Sequence, residues 1–234
     1  MLFTSSTNQN SSSAVISKNG KWLGRPMQRE LNPASIGLND VSGTGYSELD
    51  LHLQNRSWIF NALTEVIIDR PNIGELQLFM PIAVQLTKKS RWFTMINPPF
   101  KPIPQSMVAQ GVKLDQVMIL RNDSTTIIST CEKILGTGRC GALLVWIDAI
   151  EPDQLERLNV AASNSGSMVV IFRNRRTLPI NNAQLRLQVG KSDGHTVISV
   201  KNGRSNAAQC PIKLDLNNAL TERFRTAYVE RLLH

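Results

Sequence analysis

Two apolar runs constrain this chain more than any other feature. Ala142-Leu143-Leu144-Val145-Trp146-Ile147 and Met168-Val169-Val170-Ile171-Phe172 contain no charged or hydrogen-bonding polar residue apart from the indole of Trp146. Both have the length of strands rather than helices. A strand that is apolar on both faces must be covered on both, which is the situation inside a parallel sheet with helices on either side. Pro152 opens a helical stretch between them that runs through Ser163, with Leu155, Leu158 and Ala162 on one side.

The same alternation extends upstream. Thr64-Glu65-Val66-Ile67-Ile68-Asp69 and Trp92-Phe93-Thr94-Met95-Ile96 read as strands, the second stopped by Asn97-Pro98-Pro99; Gln116-Val117-Met118-Ile119-Leu120 reads as a third. Glu75 to Leu86 has helical spacing, with Pro81 expected to kink it. Gln105 to Gln110 is a short helix ending at Gly111. Ile127, Ile128, Cys131, Ile134 and Leu135 mark a helix capped by Asp123 or Ser124 and ended by Gly136. Strands alternating with helices predict an α/β fold, a doubly wound and mainly parallel sheet with helices on both faces.

The texture changes after residue 177. Leu185, Leu187 and Val189 alternate with polar residues, Lys191-Ser192-Asp193-Gly194 turns, Thr196 to Lys201 returns, and Ile212, Leu214 and Leu216 alternate again. These are expected to be antiparallel strands added at a sheet edge. Leu220, Phe224, Ala227, Tyr228 and Leu232 share one side of a final amphipathic helix. The expected organisation is a Ser/Asn-rich disordered tail and linker over 1–36, a core over 37–177, and a basic unit of strands and helix over 178–234.

Composition narrows the function. The 234 residues carry 26 Lys and Arg against 18 Asp and Glu, a net charge of +8, and residues 173–234 hold 11 of the bases and only 4 of the acids. Arg173, Arg175, Arg176, Arg186, Lys201 and Arg204 are the candidate basic surface, for DNA or for an acidic partner. The alternative is an ordinary solvated face. Three histidines without metal or triad spacing, and three cysteines (Cys131, Cys140, Cys210) without a CxxC pair, leave hydrolase and metalloenzyme readings without residues to carry them. The odd thiol count, the absence of an apolar span and the absence of a secretory leader point to a protein of the reducing cytoplasm, not attached to a membrane.

A nucleotide site is the chemistry most often found at the first strand–turn–helix of such a fold. A phosphate loop needs G-x-x-x-x-G-K-[ST] so that several backbone N–H groups converge on the phosphate. Here the turn is Arg70-Pro71-Asn72-Ile73-Gly74, followed by Glu75. Pro71 has no N–H, and Glu75 places negative charge where the helix dipole would attract phosphate. Gly190-Lys191-Ser192 lacks the leading glycine and lies between strands, so it reads as a turn. Asp148 sits where a magnesium-binding acid would stand and reads as a strand-end turn residue. The expectation is a protein without catalysis or cofactor.

Several segments then resemble a known group. Thr44-Gly45-Tyr46-Ser47-Glu48-Leu49-Asp50, Ala62 through Pro71, Ile73-Gly74-Glu75-Leu76, Arg91-Trp92, Asn97-Pro98-Pro99, Gly111-Val112-Lys113-Leu114, Gly138 through Ala142, Leu155 through Ala162, Phe172-Arg173, Leu185-Arg186-Leu187 and Pro211 through Leu216 resemble, in this order, ImuA proteins. These are RecA-like proteins associated with translesion DNA synthesis. Residues 74–173 are also similar to the SulA cell-division inhibitors, which share a RecA-like fold without a working phosphate loop. Coverage from about 22 to 216, together with the basic C-terminal part, favours ImuA.

That resemblance implies a non-catalytic adaptor of the SOS response to DNA damage. Its implied partners are an ImuB-like polymerase homologue, an error-prone polymerase and RecA, with Phe224, Tyr228 and Leu232 as a docking face. That same helix face could instead cover the chain's own added strands. The SulA alternative implies a division inhibitor that binds the tubulin-like protein FtsZ. Positions matching Arg91 and Ile96 bear on that contact in the SulA group. The tryptophan and lysine used further along by its best-known members fall on Ser106 and Gln116 here, which counts against it.

Overall fold

The computed structural model describes residues 43–53, 56–71, 73–177, 180, 183–202 and 211–216, together with the backbone of two short strands at 15–16 and 22–23. In chain order the elements are β1 (Val15–Ile16), β2 (Trp22–Leu23), α1 (Ser47–Asp50), β3 (Ala62–Ile68), α2 (Met80–Lys88), β4 (Trp92–Ile96), α3 (Pro104–Ala109), β5 (Val117–Leu120), α4 (Ile127–Gly136), β6 (Cys140–Trp146), α5 (Pro152–Ser165), β7 (Met168–Asn174), β8 (Leu185–Ser192), β9 (His195–Asn202) and β10 (Ile212–Leu214). Strands β1 and β2 pair antiparallel by themselves. The other eight form one sheet in the order β10-β9-β8-β3-β7-β6-β4-β5. Six strands are parallel, from β8 to β5; β9 and β10 are antiparallel to their neighbours.

The two apolar runs take the interior of the sheet, and their residues divide by parity. Ala142 and Leu144 of β6 and Met168, Val170 and Phe172 of β7 pack with Ile82, Ala83 and Leu86 of α2. Leu143 and Val145, with Val169 and Ile171, face Ile128, Cys131 and Leu135 of α4 and Leu158 and Ala162 of α5. Helices therefore cover both faces, as a strand apolar on both sides requires. An aromatic column crosses the first core: Trp58 stacks on Phe79 at 4.7 Å, Phe79 meets Phe172 edge-on at 5.6 Å, and Phe172 stacks on Trp146 at 4.3 Å. Such pairs each contribute ~0.5–1.5 kcal/mol beyond the area they bury.

Helix ends differ from expectation in two places. Pro81 does not kink a helix; it lies in the first turn of α2, after a separate 3-10 turn at Gln77–Phe79. There its missing N–H costs nothing, because first-turn donors have no intrahelical acceptor. Gly136 is the last residue of α4, as expected, and the left-handed turn follows at Gly138, whose φ is +65°. Asp123 meets α4 through its carbonyl, which accepts the N–H of Thr126 at 3.1 Å, and not as a side-chain cap. For α5 a capping box does form, between Glu151 and Gln154.

The sheet runs straight through the expected boundary at 177/178. Strand β8 does not open an antiparallel appendage: it pairs parallel with β3, Leu185 opposite Thr64 and Val189 opposite Ile68. Only β9 and β10 run antiparallel, β9 joined to β8 by a two-residue hairpin in which Asp193 and Gly194 have φ of +52° and +81°. That is the left-handed backbone a tight hairpin needs. Leu185, Leu187, Val189, Ile198, Val200, Ile212, Leu214 and Leu216 all join the core beneath α2, together with Tyr46, Leu49, Leu53 and Trp58 from upstream of β3. The terminal helix expected over 217–234, with Phe224, Tyr228 and Leu232, lies outside the described residues, as does Arg204.

Candidate interaction site

The turn into Glu75 is closed by the chain itself. The Glu75 carboxylate is buried, and its Oε2 accepts the N–H of Ile73 at 2.9 Å. Gly74 has φ of +98°, and a Cβ there would stand 3.0 Å from Leu216 Cδ1 and 3.3 Å from Thr196 Oγ1. The corner where a phosphate loop would sit therefore holds an internal carboxylate and packs against β9 and the residue shortly after β10. Asp148 acts as a turn acid: its Oδ1 accepts the N–H of Asn174 at 2.8 Å and its carbonyl accepts from Arg173.

The expected basic surface is broken up. Arg173 and Arg186 are turned inward on neighbouring strands around Glu65 of β3, which is 1% exposed. Arg173 donates to Glu65 Oε1 at 3.2 Å, and Arg186 donates to Oε2 at 2.6 Å. The N–H of Ile180, on the crossover from β7 to β8, donates to the same carboxylate at 3.1 Å. Arg186 also donates to the carbonyl of Ile180. Arg175 is exposed and paired with Asp69 at 3.3 Å, Arg176 is exposed, and Lys201 is half-buried on β9. Two of the six bases thus hold the crossover against the sheet and are withdrawn from any phosphate backbone. The cause is Glu65, an acid too distant in sequence for a charge count to pair with them.

Neither residue that the SulA resemblance marks for partner contact is on the surface. Arg91 is 3% exposed, and its guanidinium donates to the carbonyls of Gly138 at 3.1 Å and Cys140 at 2.5 Å, tying the start of β4 to the start of β6. Burial pushes its pKa down, opposed by the nearby Cys140. Ile96 is fully buried in the core under α4. Strand β4 lies between β6 and β5, so its side chains have core on both sides. The thiols close by are inert: burial pushes Cys131 up to about 12 and Cys140 up to about 11.

What β4 does present is the loop at its C-terminal end. Asn97 through Pro104 contains four prolines, Pro98, Pro99, Pro102 and Pro104. Between them stand Phe100, 57% exposed, and Ile103, 65% exposed; Val108 on α3 is 54% exposed. Large apolar side chains this exposed are otherwise found among the described residues only at Leu51 and Val160. Proline fixes φ, so this loop has little backbone freedom. By sequence, Asn97-Pro98-Pro99 reads only as a strand breaker. The signal for the loop is two large apolar residues bracketed by prolines, a place where neither strand nor helix can bury them. Ser106 is exposed on α3, and Gln116 is buried just before β5.

The family model described as Cell division inhibitor SulA matches residues 62–169, which takes in β3 through the start of β7 and the whole of this loop. Over 117 residues the chain is 26% identical to the cell division inhibitor SulA of Serratia marcescens, covering 50% of this chain and 70% of that protein. It is 27% identical over 110 residues to the SulA proteins of Yersinia pestis strain Pestoides F and Yersinia pseudotuberculosis strain IP 31758, covering 47% of this chain and 62% of each relative. The chain thus spans less than two thirds of the length of the Yersinia relatives. These matches overturn the ImuA reading: family model and relatives alike carry the SulA name, and the ImuB-like and polymerase partners lose their support. What the comparisons establish is that the central part of this chain, residues 62–169, is similar to the SulA family of cell division inhibitors.

Proposed function

We propose that this protein is a non-catalytic inhibitor of cell division in the SOS response, and that it acts by docking on the tubulin-like division protein FtsZ. The observation that carries the reading is the proline-stiffened loop after β4, with Phe100 and Ile103 exposed inside the segment that matches SulA. Apolar side chains of this size held in the open on a rigid loop are typical of contact anchors. Because Ser106 and Gln116 stand where other members use a tryptophan and a lysine, the apolar contact here falls to Phe100, Ile103 and Val108. Arg91 and Ile96 serve that surface from inside, by fixing the two ends of the strand that carries it.

The scaffold is read as RecA-like on its strand order, with Glu75 in the place of a bound phosphate. The function then needs no nucleotide. Titration calorimetry with ATP and magnesium is expected to give no heat. Micromolar binding that Glu75→Ala alters would contradict this part of the proposal.

The test of the docking surface is overexpression in dividing cells. The wild-type chain is expected to produce filaments, and Phe100→Ala with Ile103→Ala is expected to restore septation while leaving the melting temperature within about 2 °C, because neither side chain is in a core. In a light-scattering assay of FtsZ assembly the double variant should need at least about tenfold more protein for the same inhibition, since each anchor buried against a partner is worth ~1.5–3 kcal/mol. Normal division at high expression of the wild-type chain would remove the proposal.

A further inference from the structure

The course of the docking loop is fixed at its first residue. Asn97 follows the last residue of β4 with φ of +54°, in the left-handed region that Asn tolerates better than other residues with a side chain beyond Cβ. Its N–H donates to the carbonyl of Leu120 at 2.9 Å, carrying the β4–β5 pairing one step further. Its side-chain amide then continues where the backbone turns away. Oδ1 accepts the N–H of Asn122 at 2.8 Å, and Nδ2 donates to the carbonyl of Asn122 at 2.8 Å. Asn122 is itself held, its Nδ2 donating to Thr130 Oγ1 of α4 at 2.9 Å. Pro98 comes next, buried and without an N–H of its own.

We propose that Asn97 is a positioning residue for the docking loop. Its amide clamps both backbone groups of Asn122 and so sets the direction in which Phe100 and Ile103 leave the sheet. This rests on the function proposed above. The chemistry explains the residue. The position needs a donor and an acceptor side by side at one carbon from Cβ. Aspartate offers two acceptors and would face the Asn122 carbonyl with negative charge; glutamine is a methylene too long; glycine keeps the left-handed backbone and loses the clamp. Were Asn97 present only for its backbone angle, glycine would replace it without effect.

The experiment compares Asn97→Gly, Asn97→Asp, Phe100→Ala, Phe100→Ala/Ile103→Ala and the Asn97→Gly/Phe100→Ala/Ile103→Ala triple variant in the full chain. Amide hydrogen exchange and binding to purified FtsZ are measured for each, with thermal melting as the check on folding. Asn97→Gly is expected to speed exchange at the Asn122 N–H by at least about tenfold and to weaken FtsZ binding by about tenfold, with Asn97→Asp no better. Added to the Phe100→Ala/Ile103→Ala variant, Asn97→Gly should weaken binding no further, because a misdirected loop then has no anchor left to misplace. Wild-type binding by Asn97→Gly, alongside weakened binding by Phe100→Ala, overturns the clamp and leaves the surface standing. A further loss when Asn97→Gly is added to the Phe100→Ala/Ile103→Ala variant also overturns it. Wild-type binding by Phe100→Ala instead sinks the docking surface itself, and the clamp's role in docking with it.

Discussion

A chain cut after Thr177 is expected to lose its cooperative unfolding transition. The charge asymmetry suggests a separable basic unit over 178–234, whose removal would leave a folded core. The sheet says otherwise. Strand β8 supplies five parallel pairings to β3 between Thr64 and Ile68. Eight buried side chains from Leu185 to Leu216 share one core with α2. At ~1.5–3 kcal/mol for each large apolar side chain buried, their sum is of the order of a whole domain's stability, ~5–15 kcal/mol. The cut would also uncover Gly74, on which Leu216 packs, and strip one side of β3. Circular dichroism through a thermal ramp is the measurement. A truncated chain that melts as sharply as the full one, at a similar temperature, would show that the C-terminal strands are dispensable.

Replacing Glu65 is expected to be among the most destabilising single changes. Glu65→Ala leaves Arg173 and Arg186 facing each other with little water, and the Ile180 N–H without its carboxylate. Removing one partner from a buried ion pair typically costs ~3–5 kcal/mol, because the remaining charge keeps its desolvation penalty and loses its compensation. Attraction between the pair is not what the native state gains overall. A triple change to Glu65→Leu, Arg173→Met and Arg186→Met is therefore expected to recover much of the loss. Urea denaturation reads both. A Glu65→Ala midpoint equivalent to less than ~0.5 kcal/mol of destabilisation would mean that water reaches this cluster after all.

The Glu65 cluster also shows how reading charge along a chain goes astray. Arg173 and Arg186 stand in the most basic quarter of the sequence, yet their acid lies 108 and 121 positions away. Local charge density therefore gave them a surface role that tertiary pairing withdrew. The same holds for Arg91 and Ile96. Resemblance singled them out for a partner, but the place of β4 between two other strands puts both inside. Conversely, Phe100 and Ile103 were visible as apolar residues between prolines. Their meaning depended on knowing that nothing among the described residues covers them.

What the sequence determined by itself is the part of the fold written in local periodicity. Unbroken apolar runs at Ala142 and Met168 read as interior strands, helical spacing at Ile127 and Leu155 reads as covering helices, and Glu75 after Pro71 departs from the phosphate-loop pattern. These follow from side-chain geometry over a few residues and need no distant partner. Tertiary structure alone decided that β8 enters beside β3, that the C-terminal strands complete the core, that two arginines enclose Glu65, and that the loop after Asn97 stands clear. Each of these depends on contacts between segments far apart in the chain. Such contacts are chosen by the free energy of the whole packed sheet, a quantity no short window of sequence contains.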